Sequence, residues 1–157
     1  EMKKKNDSPS TGMIDISHKD VTKRIAIATA MISMHPDAFK KLINDQSPKG
    51  DVLETARVAG IIAAKSTPSI IPLCHPLQLS KIHVDFDLDE KKCRVLVNAE
   101  VVCLGQTGVE MEALTAVTVA SLTIYDMMKW ADKEMVISDI KLLKKTGGKS
   151  GNFERKG

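Results

Sequence analysis

The sequence predicts an α+β domain in which helices back one antiparallel sheet. Two observations carry this prediction. Several short segments alternate apolar with polar residues, which is the period of a half-buried strand. Two longer segments, over 49–65 and 109–131, have the length and the starting residues of packed helices.

Length and composition exclude several classes of protein. The chain has 157 residues, of which 43% are hydrophobic and 27% charged, as in one globular domain with a core. Aromatic residues make up only 3% and the net charge is only +3, which argues against nucleic-acid binding. No apolar run is long enough for a membrane span. Three cysteines without a C-x-x-C spacing favour a reducing, cytoplasmic location over disulfides.

The two ends of the chain differ from its centre. We expect residues 1–12 to be a disordered polar tail, residues 13–153 a single domain and residues 154–157 a flexible basic end. The closing stretch "KLLKKTGGKSGNFERKG" has six basic residues and one acidic residue. Basic ends of this kind are usually solvated, and the more specific alternative is that they form a local anion-binding site.

The first part of the domain predicts two strands and a short helix. "MIDIS" (13–17) and residues 24–34 alternate apolar with polar residues as strands do. The alanines in the second segment are also compatible with a helix, which is the alternative there. Residues 36–45 predict a helix, because Pro36 suits a first turn. One face of the second strand would carry Ile25, Ile27, Thr29, Met31 and Ser33.

A stronger helix is predicted over 49–65. Asp51 and Glu54 have the spacing of a capping box, which marks a helix start. Alanines and a glycine on its faces permit close packing against a neighbour. The following segment "STPSIIPLCHPL" is expected to interrupt regular structure.

A histidine lies between two prolines in that segment. Pro72 and Pro76 fix their own φ angles and restrict the preceding residues, so Cys74 and His75 lie on a stiff segment. Such a histidine is a metal ligand, a catalytic group or a turn residue. We predict no metal site, because the remaining histidines stand in unrelated contexts; these are His18, His35 and His83.

The second half predicts a hairpin, a long helix and a last strand. Residues 81–88 alternate strictly, and "DEKK" turns the chain into a partner strand over 93–104. The longest helix covers 109–131, and the last strand covers 134–143. The order β-β-α-α-β-β-α-β indicates a sandwich of the ferredoxin-like kind.

Charged side chains lie at both ends of the long helix. Glu110 and Glu112 open it, where carboxylates favour the helix dipole. Asp126 and Lys129 close it, three residues apart on one face, as a surface ion pair does. The alternative is a pair with perturbed proton affinities, suited to acid–base catalysis, because the stretch before Asp126 is apolar.

Two further segments indicate anion binding. Lys49 precedes a helix start, where amide donors and a lysine can receive phosphate oxygens. "KKTGGKSG" (144–151) is a basic loop, but Leu143 stands where a Walker A motif needs glycine.

Several of these segments together resemble one family. "MIDIS", "IIPLCHPL" and "TGVEMEALTAVTVASLTIYDMMK" are similar to the cyclic pyranopterin monophosphate synthase family, the molybdenum cofactor biosynthesis protein C or MoaC family. The resemblance covers about residues 13–153 and implies a catalytic domain there. It implies a ferredoxin-like homohexamer, a trimer of dimers, that needs no cofactor. The implied lyase converts 3′,8-cyclo-7,8-dihydro-GTP, a cyclised GTP derivative, to cyclic pyranopterin monophosphate and releases pyrophosphate.

The resemblance also implies roles for individual residues. Asp126, Lys49 and Lys129 would be catalytic. Where the family often has a lysine, this chain has Gln106, which weakens any phosphate contact there but can still donate hydrogen bonds. The residues implied to contact the substrate are Arg24, Leu73, Cys74, His75, Glu110, Met111 and Glu112.

The spacing of these residues raises a geometric problem. Glu112 and Lys129 lie 17 residues apart on one predicted helix, which separates their backbones by about 26 Å at ~1.5 Å per residue. We therefore expect two chains to complete each site. The alternatives are a loop that folds back, or a purely structural role for one residue.

Two other functions remain open at this point. A non-catalytic nucleotide-sensing module of the same fold would need the basic residues but not Asp126. An RNA-binding domain would present aromatic side chains on its strands, where the sequence offers only Phe86 on the apparent inner face.

Overall fold

A computed structural model describes residues 10–157, so most of the predicted N-terminal tail lies outside the described residues. Across these residues, five strands form one antiparallel sheet and three helices accompany it. The strands are β1 (Thr22–Ser33), β2 (Leu79–Asp89), β3 (Arg94–Gly105), β4 (Val136–Thr146) and β5 (Phe153–Glu154). The helices are α1 (Pro36–Ile43), α2 (Val52–Ile70) and α3 (Glu110–Met128).

The sheet has the strand order β2-β3-β1-β4-β5, and every pair of neighbours is antiparallel. The central strand β1 pairs with β3 from Thr22–Gly105 to Ser33–Arg94 without a shift in register. Its pairing with β4 shifts twice, beside Ala28 and before Met31. The predicted β2–β3 hairpin is confirmed, and the architecture confirms the predicted ferredoxin-like α+β class.

Small side chains line the face of the sheet that the helices cover. The face of β1 that carries Ile25, Ile27 and Met31 is only half-buried, and the opposite face forms the core. Alanines at the centre of the sheet let α3 approach it closely. The buried residues of β1 and β3 include Ala26, Ala28, Ala30, Ile32, Val95, Val97, Ala99 and Val101.

Helices α2 and α3 pack against each other with little space between them. Gly60 lies at this contact: a Cβ added there would lie 3.1 Å from the Ala116 carbonyl oxygen and 3.3 Å from Ala120 Cβ. It would also lie 3.2 Å from a Val84 methyl carbon of the sheet. Only glycine fits this three-way contact without displacing a neighbour.

The structure corrects the predicted end of α2. The helix continues past residue 65 and through Pro68 to Ile70. Thr67 is fully buried, and its hydroxyl donates to the Ala63 carbonyl, 3.0 Å away. Burial and this hydrogen bond hold the residue before the proline in a helical conformation that it otherwise disfavours.

The predicted strand over 13–17 is wrong. Residues 12–16 have no regular structure, and the chain enters the sheet only at Thr22. Both edges of β1 are already paired, and Ile14 is 77% exposed. The short strand β5, which pairs with Lys144 and Lys145 of β4, was not predicted because two residues are too few for a periodic signal.

No helix within residues 10–157 combines the length and hydropathy needed to cross a membrane. The boundaries assigned from sequence to the domain and to its flexible ends stay predictions.

We expect Gly60→Val to destabilise the protein by about 1–3 kcal/mol, because the new methyl groups overpack the contact between α2, α3 and β2. The matched control is Ala59→Val, which adds a β-branched residue to the same helix at a half-buried position. Urea denaturation measures both changes. Equal losses in the two variants would contradict the proposed packing constraint.

Candidate active site

Three residues predicted to be catalytic meet where α2 begins and α3 ends. The Asp126 carboxylate accepts hydrogen bonds from two ammonium groups, one on each oxygen: Lys49 Nζ lies 2.6 Å from Oδ2, and Lys129 Nζ lies 2.8 Å from Oδ1. All three side chains are half-exposed, so a ligand can reach them from solvent. We call this group the lysine–aspartate cluster.

The charges of the cluster stabilise one another. The hydrogen bond from Lys129, and then that from Lys49, lowers the pKa of Asp126 from 3.8 to about 2. The hydrogen bond to Asp126 in turn raises the pKa of Lys129. Near neutral pH the cluster therefore holds one carboxylate and two ammonium groups, with a net positive charge.

A buried serine that the sequence did not single out holds this geometry. The Ser47 hydroxyl donates to the Met127 carbonyl at 2.9 Å, beside Asp126, and accepts the Lys49 amide at 3.3 Å. It thereby ties the backbone of Lys49 to the end of α3. The contact spans 80 residues of sequence, so no local pattern indicates it.

The other predicted segments meet at the opposite end of the helix pair. A cavity of about 300 Å³ separates the loop after α2 from the start of α3. Glu112 is only 2% exposed and faces this cavity, where its Oε1 lies 4.0 Å from the Cys74 sulfur. We call this the Glu112 pocket. Its lining includes Leu73, Cys74, His75, Glu110, Met111 and Glu112.

Burial makes the Glu112 pocket favour neutral groups. It raises the pKa of Glu112, with a smaller contribution from the charge of Glu110. It also raises the pKa of the Cys74 thiol, and the charge of Glu112 adds to the effect. A thiol shifted in this direction is a poor nucleophile near neutral pH. The neighbouring Glu110 instead pairs with Lys145 of β4, at 2.5 Å.

Residues 14–19 cross the mouth of the Glu112 pocket and are held by two side chains. His75 Nε2 donates to the Ile14 carbonyl at 2.7 Å, and Gln106 Nε2 donates to the Lys19 carbonyl at 2.9 Å. Gln106 therefore fixes this segment with its amide. A ligand that bonds His75 Nε2 must first displace the Ile14 carbonyl.

Arg24 lies under the basic loop that follows β4, on the same side of the molecule as the Glu112 pocket, because Lys19 lines both cavities. Its side chain is buried, and Nε donates to the Gly105 carbonyl at 3.3 Å. Gly148 has a φ of +82°, and a Cβ there would collide with the Arg24 guanidinium. Lys19, Arg24 and Lys149 line a depression of about 360 Å³, which we call the basic depression.

The predicted site residues therefore form separate groups in one chain. Lys49, Asp126 and Lys129 come together, as predicted. The residues of the Glu112 pocket lie at the other end of α3, about 26 Å away at ~1.5 Å per residue.

The fold and these groups define a class: a ferredoxin-like α+β domain with a lysine–aspartate cluster at one end of its helix pair and a cavity at the other. The chain belongs to the MoaC family, whose model matches residues 13–148.

Relatives in that family cover nearly the whole chain. A protein from Pelotomaculum thermopropionicum is 54% identical over 145 residues, which are 92% of this chain and 85% of its own. One from Heliobacterium modesticaldum is 54% identical, with 91% and 90% covered. A third, from Desulforapulum autotrophicum, is 53% identical, with 94% and 91% covered. All three are named cyclic pyranopterin monophosphate synthase.

Removing either lysine of the cluster should raise the pKa of Asp126 from about 2 toward 3.8, because each ammonium stabilises the carboxylate. Carbon-detected NMR titration of Lys49→Met and Lys129→Met measures this. Because the folded-state pKa is the lower one, the cluster stabilises the fold fully above pH ~4 and loses that effect as pH falls through ~2. An unchanged titration in both variants would contradict the ion-pair geometry, and Asp85→Asn serves as a surface control.

We expect Ser47→Ala to raise the pKa of Asp126 by less than Lys49→Met does. The Lys49 ammonium group remains in this variant, but its backbone is no longer held by the Ser47 hydroxyl. The lost hydrogen bond should also cost about 1 kcal/mol of unfolding free energy. Ser47→Thr retains the hydroxyl and should behave like the parent. The positioning role is wrong if Ser47→Ala leaves the Asp126 titration where it is in the parent.

Proposed function

We propose that this protein is a lyase that converts 3′,8-cyclo-7,8-dihydro-GTP to cyclic pyranopterin monophosphate and pyrophosphate, in molybdenum cofactor biosynthesis. The observation that carries the proposal is the lysine–aspartate cluster in a member of the MoaC family. The names of the relatives agree with this reaction. We expect the reaction to take place in the cytoplasm.

The cluster supplies opposite proton-transfer groups side by side. Asp126 is ionised and accepts protons or orients a substrate hydroxyl, whereas the two lysines donate protons or neutralise phosphate oxygens. A lysine that turns from Asp126 to a substrate oxygen raises the basicity of the carboxylate. Substrate binding and activation of the base are then one event.

The other two groups suit different parts of the substrate. The basic depression, with Arg24, Lys19 and Lys149, matches a triphosphate, because cationic side chains pair with phosphate oxygens. The Glu112 pocket, with its neutral thiol and buried acid, matches an uncharged ring system that offers hydrogen-bonding groups. His75 would bond that ring after it releases Ile14.

The separation of the groups favours an assembly in which two chains complete each site. The start of α3 in one chain would meet the end of α3 in its partner across a two-fold axis. Three such dimers give the homohexamer that the family resemblance implies.

A non-catalytic nucleotide sensor of the same fold is the alternative. A sensor needs cations for the phosphates, but a carboxylate between them weakens anion binding by repulsion. Asp126 therefore favours an enzyme.

In a folded Asp126→Asn variant, turnover of the cyclised GTP derivative should fall about 10²–10⁴-fold, because the proton acceptor is lost. Pyrophosphate release and formation of the pterin product are both measured. Asp85→Asn, which changes an exposed carboxylate on β2, should keep parental turnover. Near-parental turnover in folded Asp126→Asn would count decisively against the proposal.

Mixing two inactive variants tests the shared site. We expect His75→Ala, at the pocket end, and Lys129→Ala, at the cluster end, each to be inactive when assayed alone, and neither changes a fully buried side chain. After unfolding and joint reassembly, mixed dimers should keep one intact site of two, giving about a quarter of parental turnover. Verified mixed oligomers without activity would show that each site lies within one chain.

A further inference from the structure

Just beyond the end of α3, a histidine and two carboxylates meet beside the start of α1. His35 lies between β1 and α1, while Asp132 and Glu134 belong to the loop between α3 and β4. One potential ligand atom from each of the three residues lies within 4.8 Å of the other two. The sequence predicts no metal site, because His35 and Asp132 are almost a hundred positions apart and no local spacing joins them.

Asp132 holds the other two residues in place. Its side chain is 2% exposed; Oδ2 accepts the His35 amide at 2.9 Å, and Oδ1 accepts the Glu134 amide at 2.8 Å. One buried carboxylate therefore fixes the backbones from which the His35 and Glu134 side chains project. Each oxygen has two lone-pair sites, so both retain one for a further partner.

The positions of the three ligand atoms fit a metal ion. His35 Nε2 lies 2.8 Å from Glu134 Oε2 and 3.8 Å from Asp132 Oδ1. The third distance, between the Asp132 and Glu134 oxygens, is at most 4.8 Å. An ion placed equally far from all three atoms would therefore lie about 2–2.4 Å from each of them. Zinc bonds to such ligands measure ~2.0–2.2 Å. The ion would thus require only small side-chain movements.

We propose that His35, Asp132 and Glu134 bind a divalent transition-metal ion of the zinc class, which fastens the start of α1 to the loop between α3 and β4. One imidazole and two carboxylates are a donor set that zinc accepts. The ion replaces the proton that His35 and Glu134 share in their hydrogen bond. Water completes the coordination, because the group opens into a surface depression that is also lined by Ser33, Met34 and Val136.

The competing explanation is an ion pair alone. His35 is 62% and Glu134 82% exposed, and a pair so exposed contributes little to stability. Such a pair also requires only His35 and Glu134. Here a third potential ligand atom, Oδ1 of the buried Asp132, lies 3.8 Å from His35 Nε2.

The test is calorimetric titration of the parent protein with zinc chloride, together with the visible absorption spectrum after addition of cobalt(II). We expect one zinc ion bound at this group, a higher unfolding temperature with zinc, and a cobalt spectrum with nitrogen and oxygen ligation. His35→Ala and Glu134→Gln should each weaken zinc binding at least about tenfold. Both positions are exposed, so these variants should remain folded. The matched control His83→Ala removes an exposed histidine from β2 and should bind zinc like the parent.

Three results would overturn the proposal. Zinc binding that survives unchanged in His35→Ala and Glu134→Gln would place the ion elsewhere. Loss of zinc binding in His83→Ala, with no loss in the two cluster variants, would do the same. No heat of binding and no cobalt spectrum at millimolar metal would leave the ion pair as the whole explanation. None of these readouts depends on the proposed catalytic activity.

Discussion

The close antiparallel contact between α2 and α3 is the constraint on which both ends of the site depend. Gly60 and the alanines around it let the two helices lie close together on the sheet. Because the pair is antiparallel, the segment before α2 meets the end of α3, and the segment after α2 meets its start. A residue of larger volume at this contact would separate the helices and move both groups at once.

The two groups that this contact positions differ in their electrostatics. At one end three exposed charges hold one another in the ionised state, so water and salt have access to them. At the other end Glu112 is buried, and burial raises the pKa of its carboxyl group. One helix thus carries exposed, paired charges at one end and a buried carboxyl group at the other.

Much of the fold could be predicted from sequence, since strict alternation located the β2–β3 hairpin and a capping residue located the start of α2. Asp51 accepts the Glu54 amide at 3.0 Å, as the capping signal indicated. The misses have long-range causes. Burial of Thr67 extended α2 past its predicted end. Strand β1, which follows "MIDIS" in the chain, pairs with β3 and β4 and has no free edge for it. The resemblance located Lys49, Asp126 and Lys129, whose contact the structure contains, but Ser47 lies beyond any local pattern because its partner is 80 residues away.

The loop over Arg24 restricts which substitutions near the basic depression this protein can tolerate during evolution. Gly148 combines a left-handed backbone with direct contact to the guanidinium, so a side chain there would be strained and would also collide. Lys149 and Ser150 line the same depression without that double restriction. Substitutions at these two neighbours would therefore change the lining of the depression with less backbone strain than a substitution of the glycine. A library that varies positions 149 and 150 samples new recognition, whereas one that varies position 148 mostly samples misfolded chains.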